Sequence, residues 1–159
     1  MHEYISRKRL ASIFLLSAIA LCQSAVVYTT VVADPLDPAD ASAYIERGIS
    51  KHALGDYKGA IDDYTRAIEL DPNDAFAYYL RGVSKGELGD YKGAIDDYTK
   101  AIALDPNDAA AYSNRGVSKG KLGDYQGAID DFNEAIALDP NNAAAYNNRG
   151  ISKKNLGDY

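Results

Sequence analysis

The sequence predicts an all-α solenoid, a stack of antiparallel helix pairs, and three observations predict it. The tripeptide Gly-Asp-Tyr begins at Gly55, Gly89, Gly123 and Gly157, each copy 34 residues after the last. Arg47-Gly48, Arg81-Gly82, Arg115-Gly116 and Arg149-Gly150 keep the same step, as do Asp37-Pro38, Asp71-Pro72, Asp105-Pro106 and Asp139-Pro140. Within each period the apolar residues trace two helical faces, separated by a glycine and an aspartate. A fixed period of this size means copies of one small unit that bury their apolar faces against their neighbours, not a single globular core. Residues 75–108 and 109–142 agree at 25 of their 34 positions, so the period is not an accident of composition.

The elements follow in chain order. Arg7, Lys8 and Arg9 form a basic cluster, and residues 10–33 then carry no charge. This predicts a hydrophobic helix within residues 1–33. One reading is a secretory signal peptide, with an apolar stretch from Leu10 to Leu21 and small residues at Ala20, Ser24 and Ala33 for cleavage. The other is an uncleaved membrane anchor, since about 20 apolar residues span a bilayer and the basic flank stays cytoplasmic. A lipoprotein signal fits less well, because Leu21 before Cys22 is bulky. A helix buried in the solenoid would need the repeat pattern and a polar face, and this segment has neither. Both main readings place the repeats outside the cytosol, periplasmic or extracellular, or tethered to the membrane by the amino terminus. Residues 34–40, with Pro35 and Pro38, read as a linker.

Three units follow, at residues 41–74, 75–108 and 109–142, with a partial fourth at 143–159. The second unit shows the logic. Asp74 stands before the first helix as an N-cap, with Asp40, Asp108 and Asn142 at the equivalent places. Gly89 suits the left-handed turn that closes that helix. Asp90 caps the second helix, and Asp105-Pro106 ends it because proline has no amide to continue the ladder. So short a connection folds the helices back as an antiparallel pair. Gly48, Gly82, Gly116 and Gly150 sit inside first helices, where glycine costs about 1 kcal/mol relative to alanine. Repeating that cost predicts a close approach there. The fourth unit ends on Tyr159, at the close of its Gly-Asp-Tyr; one reading makes its single helix a cap on the third unit, and the favoured one, because arrays close with atypical and not ordinary sequence, is a partial chain.

These residues resemble the tetratricopeptide repeat (TPR) pattern. The first unit offers Tyr44, Arg47-Gly48, Ala60, Tyr64 and Pro72; the second Tyr78, Arg81-Gly82, Ala94, Tyr98 and Pro106; the third Tyr112, Arg115-Gly116, Ala128, Phe132 and Pro140. The fourth offers Tyr146 and Arg149-Gly150. Two departures stand out. Arginine replaces the usual leucine before the first glycine, and Lys51, Lys85, Lys119 and Lys153 replace the usual tyrosine three residues after it. The resemblance implies a right-handed superhelix whose first helices line a concave face. On that face it places Ile45 and Ile49 in the first unit and Phe76, Tyr79, Leu80 and Val83 in the second. Asn114 and Val117 follow in the third, and Asn147 and Asn148 in the fourth. Apolar anchors beside side-chain amides suit an extended or helical peptide. The anchor is expected at Phe76, Tyr79, Leu80 and Val83 and the polar clasp at Asn114, Asn147 and Asn148. The competing reading is that Phe76 and Leu80 meet the amino-terminal segment or a neighbouring copy. Some TPR domains hold the carboxylate of chaperone tails with lysines, asparagines and an arginine. Those places fall here on Ile45, Ile49, Leu80, Ala110 and Asn114, and the set is not met.

Composition narrows the function classes. Residues 34–159 hold 14 Lys or Arg against 22 Asp or Glu, a net of −8. That argues against a nucleic-acid partner, which needs a basic footprint. The lone Cys22 cannot build an internal disulfide framework. No catalytic triad, phosphate loop or Cys/His metal cluster occurs, and no cofactor is implied. His52, with Gly86, Gly120 and Lys154 at equivalent places, reads as a tolerant exposed site. Of the adjacent carboxylates Asp62-Asp63, Asp96-Asp97 and Asp130-Asp131, the second of each is expected to meet the recurring arginine: Arg47 with Asp63, Arg81 with Asp97, Arg115 with Asp131. Such bridges hold helices in register and need not add net stability. The sequence therefore reads as a non-catalytic protein-binding scaffold whose partner is a protein or peptide. The alternative is the interaction module of a larger TPR-bearing enzyme, such as a transferase. Self-association through the open carboxyl-terminal face is a third route, and the membrane enters only through residues 10–33.

Overall fold

The computed structural model describes residues 40–157, which form seven α-helices and no strand. They are α1 (Ala41–Ala53), α2 (Tyr57–Leu70), α3 (Ala75–Glu87), α4 (Tyr91–Leu104), α5 (Ala109–Lys121), α6 (Tyr125–Leu138) and α7 (Ala143–Leu156). The expected amino-terminal hydrophobic helix, the linker up to residue 39 and the last two residues lie outside the described residues.

Local chemistry sets each boundary. Asp74 accepts from the amides of Phe76 at 2.9 Å and Ala77 at 3.2 Å, so two donors that α3 leaves without intrahelical partners are bonded. Asp90 accepts from Gly93 at 3.0 Å and starts α4. A Cβ at Gly93 would lie 2.3 Å from that carboxylate, which explains the second glycine of the Gly-Asp-Tyr-x-Gly run. Gly55, Gly89, Gly123 and Gly157 adopt φ between 78° and 86°, the left-handed region that ends α1, α3, α5 and α7. After α2, α4 and α6, the carboxylates of Asp71, Asp105 and Asp139 each accept from the amide two residues on, at 3.0 Å. The resulting Asx turn leads into the next first helix.

Consecutive helices pack as neighbours throughout. First helices also approach the next first helix, α1 to α3, α3 to α5 and α5 to α7, while among the described residues no second helix reaches another second helix. The first helices therefore form the inner layer of the stack and the second helices splay on the outside. The core lies between the layers: Ala60, Tyr64 and Ala67 of the first unit, Ala94, Tyr98 and Ala101 of the second, Ala128, Phe132 and Ala135 of the third, all at most 3% exposed. Small residues alternate with one large ring per unit. The helical glycines show why. A Cβ at Gly48, Gly82 or Gly116 would lie 2.5, 2.8 or 2.9 Å from the ring of Tyr64, Tyr98 or Phe132. The close approach is thus an aromatic ring laid on a bare backbone. Gly150 meets nothing within 4 Å.

Candidate functional site

The inner face depends on how each helix pair is held. Between α3 and α4, Arg81 donates through Nε to Asp97 Oδ2 at 2.9 Å and through Nη2 to Oδ1 at 2.7 Å. Lys85 closes on the same carboxylate at 2.7 Å. Arg115 meets Asp131 at 2.9 and 2.7 Å, and Lys119 joins at 2.8 Å. Arg47 grips Asp63 through Nε at 2.8 Å and through a second guanidinium nitrogen, with Lys51 at 2.8 Å. Each aspartate is at most 4% exposed and carries two cations. Burial pushes the Asp63 carboxyl up, but the hydrogen bonds and charges of Arg47 and Lys51 outweigh it and hold its pKa below the ordinary value. The guanidiniums also stack over Tyr44, Tyr78, Tyr112 and Tyr146 at 5.1 to 5.5 Å from the ring centres.

Sequence reasoning missed two partners of this clamp. The lysines stand where the resemblance leads one to expect tyrosine, a departure that signalled them without showing their target. The other partner lies one unit back: Arg81 donates to Thr65 Oγ1 at 3.2 Å, Arg115 to Thr99 Oγ1 at 3.1 Å, and Arg149 to Asn133 Oδ1 at 2.7 Å. Arg81 and Arg115 thus tie their own pairs, and Arg149 ties the single helix α7, to the preceding second helix.

On the inner face the expected groove residues divide into groups. Phe76 is 52% exposed, its ring stacked on Tyr79 at 6.3 Å between centres. Tyr79 is half-buried and lies 6.0 Å from the Tyr98 ring. Asn114 Nδ2 donates to the Tyr79 hydroxyl at 3.2 Å, joining the second and third units. Burial pushes the Tyr79 phenol up, with the charge of Asp108 adding and the Asn114 bond opposing. Val83, Asn114 and Val117 line a cleft of about 280 Å³ with Gly86, Tyr91 and Ser118. Val117 and Asn148 line a second, of about 240 Å³, with Gly120, Tyr125 and Ser152. Leu80 is half-buried and lines neither. Ile49 is 42% exposed. Ile45 packs against the core of Ala67, Ile68 and Ala77 and presents only part of its side chain. Asn147 is exposed and lines neither cleft.

His52 is not the exposed site that its variable equivalents suggest. It is half-buried, with Nδ1 2.9 Å from Ser84 Oγ in the next unit and its ring edge-on to Tyr57 at 5.0 Å. The partner is invisible in sequence because the contact exists only once two units stack. Among the described residues no group of three or more His, Cys, Asp or Glu side chains could hold a metal ion. No described helix is long and apolar enough to cross a membrane.

Comparison with known proteins agrees with this architecture. Models of the TPR repeat match residues 50–88 and 86–123, and tetratricopeptide repeat models match 109–142 and 132–159. The second TPR domain of the human RPAP3 protein, determined in complex with an HSP70 peptide, is 31% identical. The match covers 71% of this chain and 94% of that one, with a TM-score of 0.70. The chain belongs to the tetratricopeptide repeat family. Further TPR structures resemble it. The first TPR of Spaghetti (RPAP3) bound to an HSP90 peptide is 29% identical, covering 76% of this chain and 96% of that one at a TM-score of 0.73. MamA from Desulfovibrio magneticus RS-1 is 26% identical, covering 76% and 68% at 0.72. No curated protein matches the chain. A TPR array is an interaction fold, and the clamps, caps and ring-on-glycine contacts described above are how this chain builds one.

Proposed function

We propose that this TPR chain is a non-catalytic interaction module that takes a peptide segment on the face formed by α1, α3, α5 and α7. The observation that carries the reading is the exposed Phe76 ring on Tyr79, whose hydroxyl accepts from Asn114, on a face that continues into two clefts. An exposed aromatic beside a side-chain amide that uses one of its two hydrogens on Tyr79 offers apolar area and backbone-bonding groups together. Similar TPR domains carry HSP70 or HSP90 peptides. Here Ile45, Ile49, Leu80, Ala110 and Asn114 stand where the chaperone-tail carboxylate set would, so the segment is not expected to end in that carboxylate motif.

Peptides selected against the full chain from a random display library test this. Binding should weaken at least about tenfold when Tyr79 and Leu80 are both replaced by alanine, with helicity by circular dichroism unchanged. Peptides indifferent to both changes would place the site elsewhere. Export, or tethering by residues 1–33, belongs to the same reading and rests on the basic cluster followed by an uncharged stretch. Protease added to cells whose outer envelope has been opened but whose cytoplasmic membrane is intact should then reach the repeats; repeats shielded until the cytoplasm is opened would overturn it.

A further inference from the structure

The three unit junctions on the inner face share a serine and a tyrosine that flank one variable position. At the first junction that position is His52, and its ring occupies the space between Ser84 and Tyr57. Ser84 Oγ also lies 3.2 Å from the Leu80 carbonyl; with its hydrogen on that carbonyl the ring Nδ1–H donates to the serine, and in the other tautomer the serine donates to Nδ1. At the second junction the position is Gly86, and at the third Gly120. The serines remain: Ser118 donates to the Asn114 carbonyl at 3.0 Å and Ser152 to the Asn148 carbonyl at 2.9 Å, and both are at most 5% exposed. The tyrosines remain too, Tyr91 and Tyr125, as walls of the two clefts. Each cleft therefore keeps the hydroxyl acceptor and the ring wall that hold His52, and lacks the ring.

We propose that the clefts at Gly86 and Gly120 are side-chain pockets for the bound segment, and that each takes a histidine ring in the manner of His52. The proposal rests on the groove reading above and deepens it. The chain itself displays the occupant, at the one junction where the pocket is filled from within. The chemistry favours a ring with an N–H. Each serine hydroxyl lies within bonding distance of a carbonyl of its own helix and, with its hydrogen there, keeps acceptor capacity that a ring N–H meets. A purely apolar ring would remove water from that oxygen and return no hydrogen bond. The space is real at both glycines: a Cβ at Gly86 meets nothing within 4 Å, and one at Gly120 makes contacts of 3.9 Å.

The test uses the full chain and 4-methylimidazole, the histidine side chain without its backbone, at about pH 8, where free imidazole is neutral. Toluene is the apolar control. In amide NMR spectra, 4-methylimidazole should give saturable shifts at Ser118 and Ser152. Gly86→His should abolish the first response and Gly120→His the second, because each fills one pocket from within. His52→Gly should create a third response at Ser84. Toluene should bind about tenfold more weakly, for want of the hydrogen bond. Toluene matching 4-methylimidazole, or responses indifferent to both histidine substitutions, would overturn the proposal. Tyr79 and Leu80 line neither cleft, so the peptide test of the groove stands or falls separately.

Discussion

Between the paired helices one clamp is built three times, with Arg81 and Arg115 holding their aspartates at the same 2.9 and 2.7 Å and a lysine on each carboxylate. On the inner face the same period delivers Phe76, Ala110 and Ala144 at one place, Tyr79, Ser113 and Asn147 at another, and His52, Gly86 and Gly120 at a third. The buried positions solve the same packing problem in every unit and so carry the same residues, apart from Phe132 where the first two units have Tyr64 and Tyr98. The inner positions are under no such shared packing constraint and vary from unit to unit. On the proposed function, the difference separates the part of each unit that folds from the part that would select.

The largest way to break that comparison is to remove one clamp carboxylate. Asp97→Ala leaves Arg81 and Lys85 partly buried without their shared anion, and breaking such a pair from one side costs about 3–5 kcal/mol. Asp96→Ala, one residue earlier and exposed, should change stability by less than about 0.5 kcal/mol. Urea unfolding of both variants decides; equal midpoints would mean the clamp is ornamental.

A smaller effect sharpens the comparison because its sign reverses between copies. Gly82→Ala drives a Cβ to 2.8 Å from Tyr98 and should destabilise by about 1–3 kcal/mol. Gly150→Ala occupies the same place in the repeat but meets nothing within 4 Å, so helix propensity alone acts and should stabilise by up to about 1 kcal/mol. Thermal melts should move in opposite directions. Two shifts of the same sign would show that the ring contact does not decide the glycine.

What the sequence discloses follows from how local each cause is. Asp74, Gly89 and Asp90 act within three residues of themselves, so caps and turns are legible from one copy. The pairing of Arg81 with Asp97 is legible because three copies repeat it and the charges are complementary. Lys85 shows only as a departure from the family pattern, since its reach to Asp97 depends on how closely α3 and α4 pack. Gly82 announces a close approach but not that the approaching group is the Tyr98 ring. His52 misleads, because glycine at equivalent positions reads as tolerance when it is vacancy. That distinction appears once Ser84, Ser118 and Ser152 are seen facing a ring in one junction and a cleft in the next two.

The smallest effect lies in the first unit, where the clamp is wetter. Arg47 is 43% exposed in its side chain, against 17% for Arg81. Solvent screens that pair, so its share of stability is about 1 kcal/mol or less. It is still readable through pH. The folded-state pKa of Asp63 lies below its ordinary 3.8, because Arg47 and Lys51 outweigh burial. A depressed pKa means stability fully present above that ordinary value and lost as pH falls through the folded-state value. Urea midpoints of the native chain should therefore decline below about pH 4 more steeply than those of Asp63→Asn, which has no proton to take up at that site. Parallel declines would show that water has already screened this carboxylate from its two cations.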